Sequence, residues 1–125
     1  MSLLIIDGNN VMGARPRTRW WRDRAGAAAT LRDDIAGADL DAERVLLVFD
    51  GSPPSDSAAE DGLEVRYAGL DGCSADDLIV TLVGEVDDSE VTVVTSDREL
   101  VTRVSALGAR VEGAGAFLRR TGLTS

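Results

Sequence analysis

The sequence predicts one three-layer α/β domain spanning residues 1–125, with a mostly parallel sheet of four or five strands. Three observations carry this. Short apolar runs alternate along the chain with segments whose apolar residues recur at helical spacing. The runs are continuous rather than alternating, which suits strands covered on both faces. Strands that alternate with helices pair in parallel through right-handed crossovers.

Leu3–Ile6 reads as the first buried strand, and Asp7-Gly8-Asn9-Asn10 as the turn that ends it. From Asp23 to Ala38, the residues Ala28, Leu31, Ile35 and Ala38 fall on one helical face, with Gly37 and Asp39 at its frayed end. Val45–Phe49 is the second buried strand, closed by Asp50-Gly51. Gly51 to Gly62 is loop. Leu63–Ala68 is more polar and reads as an edge strand. Ser74-Ala75-Asp76-Asp77 looks like a helix start, with Ser74 as cap, followed by an apolar stripe of Leu78, Ile79, Leu82, Val83 and Val86. Val91–Thr95 is a β-branched strand. Ser96-Asp97-Arg98-Glu99 repeats the capping pattern, with Ser96 as the expected cap, and Gly108 ends that helix. Ala109–Glu112 makes a last short strand and Ala116–Leu123 a closing helix.

The composition narrows the chemistry. There are 22 acidic and 13 basic residues, a net charge of −9, and every base is Arg. Without His there is no Ser-His-Asp or Cys-His pair and no imidazole metal ligand. Without Lys there is no Walker A lysine and no Schiff base. The single cysteine, Cys73, rules out an internal disulfide framework and a multi-cysteine zinc site. No apolar run is long enough to span a bilayer, and the N-terminus lacks the pattern of a signal peptide. The expected location is therefore the cytoplasm. An acidic chain gains no long-range attraction to nucleic acid, so binding it calls for a local basic patch, a bound cation or a partner.

The remaining chemistry rests on carboxylates. Three apolar strands end in acids, at Asp7, Asp50 and Asp97, and Asp76-Asp77 opens a helix. In a parallel sheet the carboxyl ends of all strands share one edge, and the ligand crevice lies there. Carboxylates gathered at that edge repel one another unless a cation sits among them. A site of oxygen ligands favours Mg²⁺ or Mn²⁺. The candidate ligands are Asp7, Asp50, Asp76, Asp77 and Asp97. Each has a structural alternative: Asp-Gly pairs favour turns, Asp97 suits a helix N-terminus, and Asp77 stands where a capping box places its acid. Their coincidence at one edge favours a shared site. Asn9 could hold a phosphate oxygen or only shape the turn. The stretch from Arg15 to Arg24 holds five Arg and both Trp, and there Arg15 and Arg17 are candidate phosphate contacts. Ser96 and Arg98 are further candidates beside Asp97.

The ordered set Ile5-Ile6-Asp7-Gly8-Asn9-Asn10-Val11-Met12-Gly13, Val48-Phe49-Asp50-Gly51, Ser74-Ala75-Asp76-Asp77 and Thr95-Ser96-Asp97-Arg98-Glu99 resembles the YacP-like NYN domains of the PIN-like nuclease superfamily. The resemblance spans about residues 3–120. It implies a Rossmann-like sheet whose carboxyl edge binds Mg²⁺ or Mn²⁺. It also implies endonucleolytic cleavage of RNA, in some relatives ribosome-associated RNA, leaving a 5′-phosphate and a 3′-hydroxyl. By motif position, Asp7, Asp76 and Asp97 are the expected catalytic metal-site residues, with Asp50 or Asp77 in support and Asn9 as a polar neighbour. Relatives often carry an aromatic residue where Asn9 stands, more cationic surface and a longer helical region beyond the closing helix.

Two rival functions follow from the same residues. One is a metal-dependent phosphatase or nucleotide pyrophosphohydrolase. A haloacid-dehalogenase-like version would need an Asp two residues after Asp7, where Asn9 stands, and a lysine that this chain does not have. The other is a non-catalytic RNA- or ribosome-binding module of the same fold. No Gly-x-Gly-x-x-Gly follows any strand, which argues against a dinucleotide oxidoreductase.

Overall fold

The chain runs β1 (Ser2–Asp7), α1 (Gly8–Ala14), α2 (Arg24–Ala36), β2 (Arg44–Phe49), β3 (Leu63–Tyr67), a 3-10 turn (Ala68–Asp71), α3 (Ala75–Glu85), β4 (Glu90–Val94), α4 (Arg98–Ala106), β5 (Arg110–Glu112) and α5 (Ala114–Thr121). The computed structural model describes residues 2–15, 22–40, 42–51, 63–86 and 90–123. The expected loop from residue 52 to residue 62 lies outside them.

All five strands pair in parallel, in the order β3-β2-β1-β4-β5. The chain first builds outward from β1 through β2 to β3, then returns to the other side of β1 for β4 and β5. The strand order therefore reverses beside β1, which opens a crevice between the carboxyl ends of β1 and β4. β3 lies at one edge, as its polar pattern predicts.

The alternation of side chains along each strand splits the core into two layers. Leu4, Ile6, Val45, Leu47 and Val94 face α1, α2 and α5, where Met12, Leu31 and Phe117 pack. Leu3, Ile5, Leu46, Val48 and Val93 face α3 and α4, where Ile79, Leu100 and Val104 pack. Burying each large apolar side chain contributes about 1.5–3 kcal/mol. Among the described residues no helix is long and apolar enough to cross a membrane.

Two local expectations are corrected. Asp7-Gly8-Asn9-Asn10 is not a turn: β1 passes directly into α1, which starts at Gly8. Gly8 is there because α1 presses on β2. A Cβ at Gly8 would stand 2.5 Å from the Phe49 ring and 2.8 Å from the Val48 carbonyl oxygen. Nor does Ser96 cap α4. Asp97 does, with Oδ1 accepting from the N–H groups of Glu99 at 2.9 Å and Leu100 at 3.3 Å. The Ser96 hydroxyl is used elsewhere, accepting from the Ala114 N–H at the start of α5 at 2.9 Å. The expected cap at Ser74 forms, with Ser74 Oγ accepting from Asp77 N–H, and Asp23 caps α2 by accepting from Gly26 N–H.

Candidate metal centre at the carboxyl edge

Asp7 ends β1 at the mouth of the crevice and is only 4% exposed. The Thr95 hydroxyl donates to Asp7 Oδ2 at 2.9 Å. Burial pushes the Asp7 carboxyl up to about 6 from its ordinary 3.8. The Thr95 hydrogen bond opposes the rise. The negative charges of Asp76 and Asp50 add to it. The Asn10 backbone N–H, near the carboxylate without completing a cap bond, favours the charged form. A carboxylate so placed gains from any cation that reaches it.

Asp50 follows β2 and is exposed at the same edge. Its backbone N–H donates to Asn9 Oδ1 at 2.8 Å, and its own Oδ1 accepts from the Ala75 N–H at 2.7 Å. The acceptor of the first α3 amide is thus supplied by the residue that follows β2, while Ser74 serves the Asp77 amide two residues on. Asp76 stands in the first turn of α3, half-buried. Burial raises its carboxyl most, and the charges of Asp97, Asp50 and Glu99 add to the rise, while Arg103 lowers it. Asp77 has a different neighbour: its Oδ1 pairs with Arg103 of α4 at 3.0 Å.

On the other side of the crevice, Thr95 is 1% exposed and fixed by three bonds. Its N–H donates to the Glu112 carbonyl, its hydroxyl donates to Asp7, and the same hydroxyl oxygen accepts from Asp97 N–H at 3.1 Å. The Ser96 N–H donates to Asn10 Oδ1 at 2.8 Å. The two adjacent asparagines of α1 therefore reach in opposite directions, Asn9 to the end of β2 and Asn10 to the end of β4. Arg98 opens α4 and is exposed beside Asp97.

The structure thus puts Asp7, Asp50, Asp76 and Asp97 in one electrostatic field, with Ser96 and Arg98 beside Asp97. It gives Arg15 a different setting. That side chain is buried, with its guanidinium on Asp34 of α2 at 2.8 Å, so it ties α1 to α2 instead of facing solvent. Arg17 and both Trp residues lie outside the described residues. Glu99, read from the sequence only as part of a capping pattern, and Arg103, which carried no sequence signal, complete the local charge pattern. Their place at the site follows from α4 packing against α3, which no local motif encodes.

The donor set fits a hard divalent cation in its chemistry: every ligand candidate is a carboxylate, and they repel one another in its absence. It is not a ready-made cage. Among the described residues no three acidic, His or Cys side chains stand close enough to hold one ion together.

The chain was compared with known proteins. The family model described as "YacP-like NYN domain" matches residues 4–124. Among solved structures the chain is similar to a single-substitution mutant of Rae1 (YacP) from Bacillus subtilis, with a TM-score of 0.77 and 25% identity over 96% of this chain and 74% of that one. It is similar in fold to the unsubstituted Bacillus subtilis protein, with a TM-score of 0.77 and 24% identity over 96% of this chain and 73% of that one. No curated protein matches it.

Proposed function

The chain belongs to the YacP-like NYN domain family, and from that membership we propose that it is a metal-dependent endoribonuclease. The family's nuclease-type fold supports a role on RNA. The observation that carries the reading is the buried Asp7 carboxylate at the strand-order reversal, in the field of Asp76 and Asp50, with Asp76 in turn in the field of Asp97.

Asp7, Asp76 and Asp97 would hold one or two Mg²⁺ or Mn²⁺ ions, directly or through water. The cation, when bound, supplies an activated water and offsets charge on the phosphoryl oxygens. The chain's own part is to gather the carboxylates at one edge, where burial disfavours the charged forms of Asp7 and Asp76 until a cation arrives. Thr95 favours the charged form of Asp7, and Arg103 does the same for Asp76. Arg98 and the Asn9 amide would contact phosphate oxygens, and Ser96 would hold the backbone between Thr95 and Asp97 in place. No imidazole or lysine base takes part, since the chain has neither. Ribosome-associated RNA is the first target class to try.

The test is cleavage of end-labelled structured and single-stranded RNA with Mn²⁺, Mg²⁺ or EDTA, beside Asp97→Asn. Asparagine keeps an oxygen to cap α4 and removes the charge. Cleavage that needs the metal and is lost in the variant is expected. Undiminished cleavage by Asp97→Asn, or cleavage in EDTA, overturns the assignment. A second reading, a non-catalytic RNA-binding module, is favoured by the absence of a preformed ligand cage among the described residues. Metal-independent RNA binding without cleavage would select it.

A further inference from the structure

We propose that Asp50 is a positioning residue for Asp76, and that Asn9 sets Asp50 in turn. The proposal rests on the nuclease reading only in taking Asp76 as a cation ligand.

The relay consists of two bonds in series. Asn9 Oδ1 accepts from Asp50 N–H at 2.8 Å, and Asp50 Oδ1 accepts from Ala75 N–H at 2.7 Å. Asp76 is the next residue along α3. The Ala75 amide is one of the orphan donors at a helix start, and Ala75 is 2% exposed, so an amide left without an acceptor there is costly. Ser74 does not serve it, because Ser74 Oγ is on the Asp77 amide.

The chain leaving Asp50 is pinned as well. The Gly51 carbonyl accepts from Gly69 N–H at 2.7 Å, and the approach is so close that a Cβ on Gly69 would collide with that carbonyl. Gly51 itself has a φ of +78°, which glycine adopts without strain. Asp50 is therefore held at its own N–H and just beyond its own carbonyl, and its carboxylate is aimed at the start of α3. A negative group there also suits the helix dipole. One Asp50 oxygen is committed to this bond, so the residue acts first as an acceptor and only second as a charge.

Acceptor and charge separate under substitution. Asparagine at position 50 keeps an oxygen for the Ala75 amide and drops the charge, whereas alanine drops both. The experiment measures amide hydrogen exchange at Ala75 by NMR and Mn²⁺ affinity by calorimetry in the full chain. Asp50→Asn is expected to keep Ala75 protected and to lose clearly less Mn²⁺ affinity than Asp50→Ala, since it drops only the charge that Asp50 adds to the site. Asp50→Ala is expected to lose that protection and about tenfold or more in Mn²⁺ affinity, the usual cost of removing support behind a ligand. Equal loss of Mn²⁺ affinity in both variants, with Ala75 still protected in Asp50→Asn, would show a direct ligand and overturn the proposal. Unchanged Ala75 protection in Asp50→Ala would overturn it too. Should Asp50→Ala not fold, Asn9→Ala reads the same relay one bond back: faster exchange at Asp50 and Ala75 supports it, and unchanged exchange overturns it. If the parent binds Mn²⁺ and fails to cut RNA, the nuclease reading falls while the relay is still decided by these measurements.

Discussion

The Thr95 hydroxyl bonds to the Asp7 carboxylate across 88 residues of sequence, at 2.9 Å, inside a site where both side chains are almost wholly buried. The same oxygen accepts the Asp97 N–H at 3.1 Å. One hydroxyl thereby joins the ends of β1 and β4, and two of the three proposed ligands. Thr95→Val keeps the shape and removes both bonds. It is expected to cost about 1–3 kcal/mol, the penalty for leaving buried polar groups unsatisfied. It should also raise the Asp7 pKa further. Urea unfolding of Thr95→Val beside Thr95→Ser checks this, and Ser should recover most of the loss.

Asp7 makes the fold pH-dependent. Its folded value, about 6, lies above its ordinary 3.8, so the proton on Asp7 favours the folded state. That contribution is fully present below about pH 3.8 and is lost as pH rises through about 6. At about 1.4 kcal/mol for each pH decade, the charged Asp7 costs about 3 kcal/mol at neutral pH. Asp7→Asn should therefore stabilise the metal-free protein by up to about 3 kcal/mol near neutral pH, and by much less near pH 4. Denaturant titrations in EDTA at the two pH values measure the difference. A variant no more stable than its parent near neutral pH would mean that Asp7 carries no charge penalty.

A cation that binds the folded state alone stabilises it by mass action, about 2.7 kcal/mol at a hundredfold excess over its dissociation constant. Mn²⁺ is expected to raise the thermal midpoint of the parent protein. The increase should shrink as pH falls below about 6, where Asp7 takes up its proton, and should vanish in Asp97→Asn. Differential scanning fluorimetry across pH, with and without Mn²⁺, reads all three effects.

Gly8→Ala tests the contact between α1 and β2. The added methyl would sit 2.8 Å from the Val48 carbonyl oxygen, a backbone atom that cannot rotate away. A loss of about 1–3 kcal/mol or more is expected from this overpacking. Chemical denaturation measures it, and a neutral result would mean that α1 can lift off the sheet.

These residues also show what the sequence made legible. The three-layer class, the parallel pairing, the edge position of β3 and the acids at Asp7, Asp50 and Asp97 were readable because periodicity and strand-end acids are local signals. Ser96 and Asp97 are both good caps, and the choice between them was settled by Ala114, which draws the Ser96 hydroxyl from 18 residues away. Gly8 gave the sequence signal of a turn, but its small size serves a contact with Phe49. Asn9 and Asn10 are turn formers in isolation, and only the assembled sheet gives each a backbone N–H to accept from. Arg15 read as a phosphate contact because its neighbours are basic, while its partner Asp34 waits a helix away.

The central position of β1 has a consequence for biosynthesis. β1 is made before both of its neighbours, β2 on one side and β4, which begins at Glu90, on the other. Until that later segment leaves the ribosome, Asp7 has neither Thr95 nor Asp97 beside it, and one flank of β1 has no partner. A growing chain thus carries Asp7 well before Thr95 and Asp97, and completes the cluster only once β4 and the start of α4 have been made. Topology alone thus keeps the acidic cluster incomplete in the nascent polypeptide until β4 joins β1.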